Sequence, residues 1–533
     1  MRKIHRTAWL LACTSGVLQV LIFPLPGLYW LSWIAFAPLL VAILRTRDAD
    51  VLQLFDSPGV KLVPGNFGQG FLLGYVSGVI WYAGTCYWVY DTMHRYGGLG
   101  PVAAFGVLIL FCLYLALYHG LFGALLALVA SSRLTVSRLA LIAAPFLWVA
   151  MELARTRISG FPWDLLGIAQ VDNIPLARVA GFAGVYGLSF EIMLVNTAVA
   201  AAFLVRRDKR TSLLITAMAA AMVLQAGRWV SPAPFPVDRQ ALLVQQNVPI
   251  IDNSDWTRNY FESTLSDLAA ISERQYATGK HFDLIVWPES PAPFYSGDPL
   301  FRDAVSRIAR QTGSWMVVGN IGVRNATMSQ EAGSAVFNSA SLVDPSGDWT
   351  SRYDKIHLVP FGEYLPFKQV FGFAGGLTKE VGDFARGTSR EPLDAGGERL
   401  GVFICYESIF PDEIRQFAAN GAQVLVNISN DGWYGDSGAY AQHLAQSRMR
   451  AIENDRWLLL DTNTGLTASV DPYGRIVAEL PRKTRDALPV AYALTDVTTF
   501  YTCHGDWFAY LCAIISAGAL VARFSIRNKA GHS

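Results

Sequence analysis

The sequence predicts a chain in two parts: a multi-pass α-helical membrane domain of about eight spans, and a layered α/β domain inserted before the last span. Three observations predict it. Of 533 residues, 52% are hydrophobic and only 16% are charged, against about 25% charged in an ordinary soluble protein. The apolar residues are uneven, filling residues 1–230 and the stretch from 507 onward, and the mean hydropathy is +0.30. Between them, short β-rich runs alternate with helical patterns in a segment of ordinary soluble composition. Boundaries are expected at 1–236 for seven spans, 237–497 for the α/β domain, and 498–533 for the last span and a tail.

A span needs about 20 mostly apolar residues to cross a bilayer core. The segments that meet or approach this are Ala8–Phe23, Leu28–Leu44, Phe71–Tyr90, Val102–Ala130, Leu139–Leu153, Gly187–Val205, Ser212–Val230 and Trp507–Val521. Positive charge orients them. Arg2, Lys3 and Arg6, then Arg45 and Arg47, Arg133 and Arg138, Arg206 to Arg210, and Arg523, Arg527 and Lys529 all fall on one side if every span crosses once. That side is cytoplasmic by the positive-inside rule, so the α/β domain belongs outside the cytoplasm. Arg95, Arg155 and Arg157 are exceptions. Two other readings remain: a cleaved signal peptide at span one, which Pro24-Leu25-Pro26 suits badly, and buried core helices in place of some spans. Glu152 near Arg155 reads as an ion pair at a helix end, although intramembrane carboxylates are also functional candidates.

In the α/β domain, Ala241–Val244 and Leu284–Trp287 read as buried strands separated by a helix over Thr257–Tyr276. A helix over Asp303–Gln311 leads to a strand at Trp315–Val318. Phe337–Val343 and Trp349–Lys355 flank the turn Asp344-Pro345-Ser346-Gly347 and form a hairpin. Then follow a strand at Leu400–Ile404, a helix over Pro411–Asn420, a strand at Val424–Ile428, a helix over Ala439–Asn454, and strands at Trp457–Thr462 and Thr467–Val470. Such alternation gives helices covering a sheet. Glu289, Lys355 and Cys405 each lie at or just after a strand end, where sites of open α/β sheets form, so residues distant in sequence can converge there. Singly, each has a plain structural reading: a solvated loop carboxylate, a surface pair of Lys355 with Asp354, an inert buried cysteine.

Other chemistries find less support. The net charge of +1 gives no electrostatic case for nucleic acid. The six cysteines include no CxxC pair, so neither a zinc site nor a disulfide scaffold is indicated. Cys503-His504 matches no common zinc spacing, and Asn430-Asp431-Gly432 is a turn signal. His357 and His443 are available as bases for a Cys–His enzyme, but no orienting partner is singled out.

Three motifs carry a resemblance. VWPES at 286–290, RYDKIHLVPFGEYLP at 352–366 and GVFICYES at 401–408 resemble the Glu–Lys–Cys motifs of the nitrilase, or carbon–nitrogen hydrolase, superfamily. The spans before and after, the HLVPFGEYLP wording and GFPWDLLGIAQ at 160–170 narrow the resemblance to the bacterial apolipoprotein N-acyltransferases, over essentially the whole chain. The resemblance implies a nitrilase-like αββα sandwich. It implies Cys405 as nucleophile, Glu289 as general base and Lys355 as the cation facing the oxyanion, with Glu363 orienting the lysine. The backbone N–H of Tyr406 is expected to be a second oxyanion donor. Tyr406, Glu407 and Trp256 match further functional positions. The implied reaction moves an acyl chain from a membrane phospholipid, through a cysteine thioester, to the N-terminal amine of a diacylated apolipoprotein. No cofactor or metal is required, and a monomer embedded in the bacterial inner membrane is expected, its catalytic domain periplasmic. The rivals are a membrane-anchored amidase or nitrilase using water, and a non-catalytic membrane sensor. A loop over Gly362–Gly387, rich in Phe and Gly, is the expected gate against water.

Overall fold

The computed structural model describes residues 3–48, 62–130, 136–204, 207–250, 257–289, 294–324, 335–364 and 384–530. These form two compact units. The first holds residues 1–87, 105–231 and 504–533; the second holds 88–104 and 232–503.

In the first unit, helices cover Arg6–Leu21, Ala37–Leu44, Phe67–Thr85, Pro101–Ala130, Val136–Ala154, Ala180–Leu204, Arg207–Ala226 and Trp507–Ala530. Among the described residues, four segments are long and apolar enough to cross a bilayer: Pro101–Ala130, Leu139–Ser159, Ala180–Leu204 and Lys209–Trp229. The expected single span over Leu28–Leu44 is instead broken, a 3₁₀ turn at Tyr29–Trp33 followed by the helix from Ala37. Asn196 stabilises the break. Its Oδ1 accepts the N–H groups of Phe36 at 2.8 Å and Ala37 at 3.0 Å, and its Nδ2 donates to the Ser32 carbonyl at 2.7 Å. Backbone groups freed inside an apolar unit need such a partner.

Asn66 starts the Phe67–Thr85 helix with a capping box shared with Gln69. Gly70 and Gly123 let that helix lie close against Pro101–Ala130: a Cβ on Gly70 would stand 2.3 Å from the Gly123 carbonyl oxygen. Small residues serve close packing of apolar helices in this way. Glu152 and Arg155 each take a backbone partner. Glu152 accepts the Leu166 N–H at 2.7 Å, while Arg155 donates to the Trp163 carbonyl at 2.8 Å and lies 5.6 Å from the Trp81 and Tyr82 ring centres.

The second unit contains two six-stranded sheets. Its strands are β1 (Arg239–Gln245), β2 (Leu284–Val286), β3 (Trp315–Arg324), β4 (Ala335–Val343), β5 (Trp349–Asp354), β6 (Leu393–Ala395), β7 (Glu398–Ile404), β8 (Val424–Ser429), β9 (Leu458–Thr462), β10 (Thr467–Val470), β11 (Ile476–Leu480) and β12 (Asp486–Tyr492). One sheet has the order β12-β1-β2-β3-β4-β5; the other has β11-β10-β9-β8-β7-β6. In the first, β1, β2 and β3 run parallel; in the second, β7, β8 and β9 do. The sheets pack face to face, and the helices Arg258–Tyr276 and Pro299–Thr312 cover the first sheet. Pro411–Ala419 and Ala439–Asn454 lie against the second. This is the nitrilase-like αββα sandwich that the motifs imply.

The parallel strands are mostly apolar, with Asn427, Ser429, Asp461 and Thr462 near their C-terminal ends, and every residue of β2, β8 and β9 is buried. That is the pattern of strands covered on both faces. Leu242, Val244, Ile285, Trp287, Met316 and Val318 meet Leu265, Leu268, Phe301 and Ile308 of the covering helices in one core. The β6, β11 and β12 strands are additions to the sequence reading. Their polar residues and, in β12, Pro489 mask the strand pattern, and β11 and β6 are sheet edges, where such residues are tolerated.

Candidate active site

Four chain segments end at one place. Cys405 follows β7 directly, Asn430 follows β8, Lys355 follows β5, and Glu289 stands three residues beyond β2. Because β7 and β8 are parallel neighbours in register, Ile404 opposite Ile428, their C-terminal ends open side by side.

The carboxylates and the ammonium form one buried group. Lys355 Nζ lies 2.9 Å from Glu363 Oε1 and 3.4 Å from Glu289 Oε1. Asn338 bridges the two acids, its Nδ2 donating to Glu289 Oε1 at 2.7 Å and Glu363 Oε1 at 2.6 Å. Glu289 Oε2 accepts the Asn430 N–H at 2.8 Å, and Glu363 Oε2 accepts the Val359 N–H at 2.8 Å. Lys355 is 1% exposed. Burial works against its charge, yet Glu289 and Glu363 outweigh burial and raise its pKa above the ordinary lysine value. The lysine is therefore a permanent cation, fixed in direction by two carboxylates.

Cys405 takes a left-handed backbone, φ +51°, at the sharp turn from β7 into the 3₁₀ segment Cys405–Ile409. A non-glycine residue held there stores roughly 1–3 kcal/mol of strain. Its thiol is pushed well above the ordinary cysteine value, first by burial and then by Glu289, while Lys355 pulls the other way. The resting sulfur is thus a protonated thiol in the field of both groups, and its proton must leave as it reacts.

Glu407 straps the two halves of the site together. Fully buried, it accepts the N–H groups of Ile356 at 2.7 Å and His357 at 3.0 Å, the Tyr353 hydroxyl at 2.8 Å, and the Ile404 N–H at 2.7 Å. Burial raises its pKa, opposed by those backbone donors. It thereby ties the segment carrying Lys355 to the strand end carrying Cys405. Tyr406 is buried, its ring edge-on to Phe410 at 5.3 Å. Gly387 closes over the same segment: its N–H donates to the Lys355 carbonyl at 2.8 Å, and a Cβ there would overlap the Asp354 carbonyl oxygen at 1.8 Å.

The two histidines are engaged elsewhere than at the sulfur. His357 lies 3.1 Å from Glu413 Oε2 and stacks on Phe410. His443 Nε2 faces the Cys405 carbonyl oxygen at 3.1 Å and Ser408 Oγ at 2.8 Å. Among the described residues, no group of three His, Cys, Asp or Glu side chains is arranged to hold a metal. Trp256 lies outside the described residues, as does the middle of the expected gate, including Phe367, Phe371, Phe373, Gly375 and Gly376. Sequence reasoning missed Asn338, read Asn430 and Asp431 only as a turn, and offered His443 as a base without its Asp431 partner. Their one available signal was position: Asn430 and Asp431 directly follow an apolar strand, as Cys405 does.

A protein of Geobacter metallireducens, an apolipoprotein N-acyltransferase, is 35% identical to this chain over 99% of this chain and 97% of its own length. The chain belongs to the apolipoprotein N-acyltransferase family. The model of that family's N-terminal domain matches residues 15–198, and the carbon–nitrogen hydrolase model matches 243–502. Apolipoprotein N-acyltransferases of Methylococcus capsulatus and Nitrosomonas europaea are each 34% identical, over 98% and 87% of this chain and 98% and 90% of their own lengths. A solved amidase of the nitrilase superfamily from Nesterenkonia AN1 overlaps 49% of this chain and 93% of its own, with 20% identity and a TM-score of 0.36. Apolipoprotein N-acyltransferases are acyltransferases of the membrane, and the apolar helices of the first unit are consistent with a membrane domain.

Proposed function

We propose that this protein transfers an acyl chain from a membrane phospholipid to the α-amine of the N-terminal diacylglyceryl-cysteine of an apolipoprotein, the last step of lipoprotein maturation. The observation that carries the reading is the buried Lys355 ammonium held between two carboxylates, with a strained thiol in its field, in a chain of this family.

The steps follow from what each group offers. Glu289 takes the thiol proton as Cys405 Sγ attacks the ester carbonyl of the phospholipid. The tetrahedral oxyanion is met by Lys355 Nζ and by the Tyr406 N–H; loss of one such donor typically costs about 10²–10³ in rate. Collapse breaks the ester C–O bond, and Glu289 returns the proton to the departing lysophospholipid alkoxide. The acyl group remains on sulfur as a thioester. The amine then attacks, its proton passes to Glu289, the C–S bond breaks, and the thiol recovers its proton. Glu363 and Asn338 hold Lys355 and Glu289 in register throughout. The positive charges that flank the apolar segments support the reading of a periplasmic catalytic domain on the inner membrane.

Mass spectrometry of the intact protein purified from membranes tests the reading. An acyl adduct on Cys405 that is discharged by a diacylated peptide amine is expected. Release of free fatty acid alone indicates hydrolysis, and an unmodified Cys405 in the presence of phospholipid refutes the thioester.

A further inference from the structure

The mechanism above leaves a buried histidine unused. His443, fifth residue of the helix Ala439–Asn454, is fully buried. Its two ring nitrogens face oxygen on both sides: Nε2 is 3.1 Å from the Cys405 carbonyl oxygen, and Nδ1 is 3.3 Å from Asp431 Oδ1. A peptide carbonyl only accepts, so Nε2 carries its hydrogen toward the Cys405 oxygen, and the Asp431 carboxylate beside Nδ1 favours the charged ring. Ser408 Oγ lies 2.8 Å from the same Nε2, and Ser429 Oγ donates to Asp431 Oδ1 at 2.6 Å. Burial disfavours the charged ring, but Asp431 outweighs it and keeps the histidine pKa above its ordinary value. Glu289 adds to the same effect at longer range.

The carbonyl that His443 meets belongs to the peptide group whose other end is the Tyr406 N–H. That peptide is trans, so its C=O and N–H point in opposite directions. A charged donor on the carbonyl fixes the plane of the group, turns the N–H away from His443, and polarises it into a stronger donor. Asn427 Nδ2, 3.5 Å from the same oxygen, assists. The strained φ of +51° at Cys405 is the conformation this clamp holds.

We infer that His443, held by Asp431, is a positioning residue for the acyl transfer: it clamps and polarises the Cys405–Tyr406 peptide so that the Tyr406 N–H serves as an oxyanion donor. This rests on the acyl-transfer reading above. The groups that bear on the thiol are Glu289, Lys355, Asp431 and Ser429, so His443 reaches the sulfur only through Asp431, while its direct contact is with the Cys405–Tyr406 peptide.

Two reactions of Cys405 separate these effects. Acylation by a phospholipid with a fluorescent acyl chain passes through an oxyanion; alkylation by iodoacetamide does not. In the detergent-solubilised full chain, His443→Leu should slow fluorescent thioester formation by about 10–10²-fold, part of the full loss of a donor, while alkylation, which feels His443 only through Asp431, stays within about 3-fold of wild type. His443→Gln, which restores an N–H near the Nε2 position, should recover acylation to within about 10-fold of wild type, since a neutral hydrogen bond is roughly half as strong as a charged one. Wild-type acylation in both variants, or a parallel loss of alkylation in both, overturns the inference. A wild-type protein that is alkylated but never takes the fluorescent acyl group refutes the acyl-transfer reading itself, and the clamp with it.

Discussion

Replacing Glu407 with glutamine tests how the lysine and the cysteine are kept in register. The carboxylate accepts three hydrogen bonds at Oε1, from Tyr353, Ile356 and His357, and one at Oε2, from Ile404. In Glu407→Gln the amide oxygen can take the set of three, and the amide NH₂ then meets the Ile404 N–H, donor against donor. One buried N–H loses its partner, which costs about 1–3 kcal/mol; the opposite orientation strands three donors and costs more. At roughly 2–4 °C per kcal/mol for a domain of this size, the unfolding temperature should fall by about 2–12 °C. Ile404 immediately precedes Cys405, and Ile356 immediately follows Lys355, so the relaxation separates the two reacting groups. A displacement of about 1 Å costs on the order of 10²-fold in rate. Thermal unfolding and thioester formation, both on the solubilised full chain, are the assays. A Glu407→Gln protein with wild-type melting and wild-type acylation refutes the strap; reduced melting with unchanged acylation confines Glu407 to stability.

Further outcomes follow from the same geometry. Cys405→Ala should form no acyl adduct by mass spectrometry, and Lys355→Ala and Glu289→Gln should fold with unchanged circular dichroism yet accumulate no thioester. Because the Cys405 thiol is held well above its ordinary value, its alkylation rate should still be rising above pH ~9, where a free cysteine of pKa about 8.5 has levelled off; Lys355→Ala, which removes the opposing cation, should slow alkylation further at any fixed pH. Glu413 is buried, which raises its pKa, but His357 and Arg390 outweigh burial and lower it below the ordinary value. Its contribution to stability is therefore present above the unfolded value of about 4.3 and is lost as pH falls through the lower folded value. An acid-unfolding series should show a steeper loss below about pH 4.3 in wild type than in Glu413→Gln. Asn338→Leu removes the amide between two carboxylates 2.6 and 2.7 Å away, and should reduce acylation by about 10-fold or more, the scale of a lost charged hydrogen bond.

Much of this was legible in the amino-acid order because it is locally encoded. Runs such as Leu284–Trp287 and Val424–Ile428 announce buried strands, since a strand covered on both faces is largely apolar. Asp344-Pro345-Ser346-Gly347 marks its own hairpin. Hydropathy divides apolar helices from the soluble block, and the three motifs name the candidate side chains. The broken segment at Leu28–Leu44 was not legible, because its break is stabilised by Asn196, more than 150 residues away. Nor were β6 and β11, whose pairing comes from neighbours in the sheet and not from their own pattern. The role of Glu407 as a strap, the bridge through Asn338 and the His443 clamp are likewise products of tertiary structure. Each depends on the directions of backbone N–H and C=O groups at strand ends, and those directions are set only once the sheets are paired. The sequence by itself determined which side chains are candidates for the chemistry; the folded chain decided how they are aimed, because a hydrogen bond has a direction and a residue type does not.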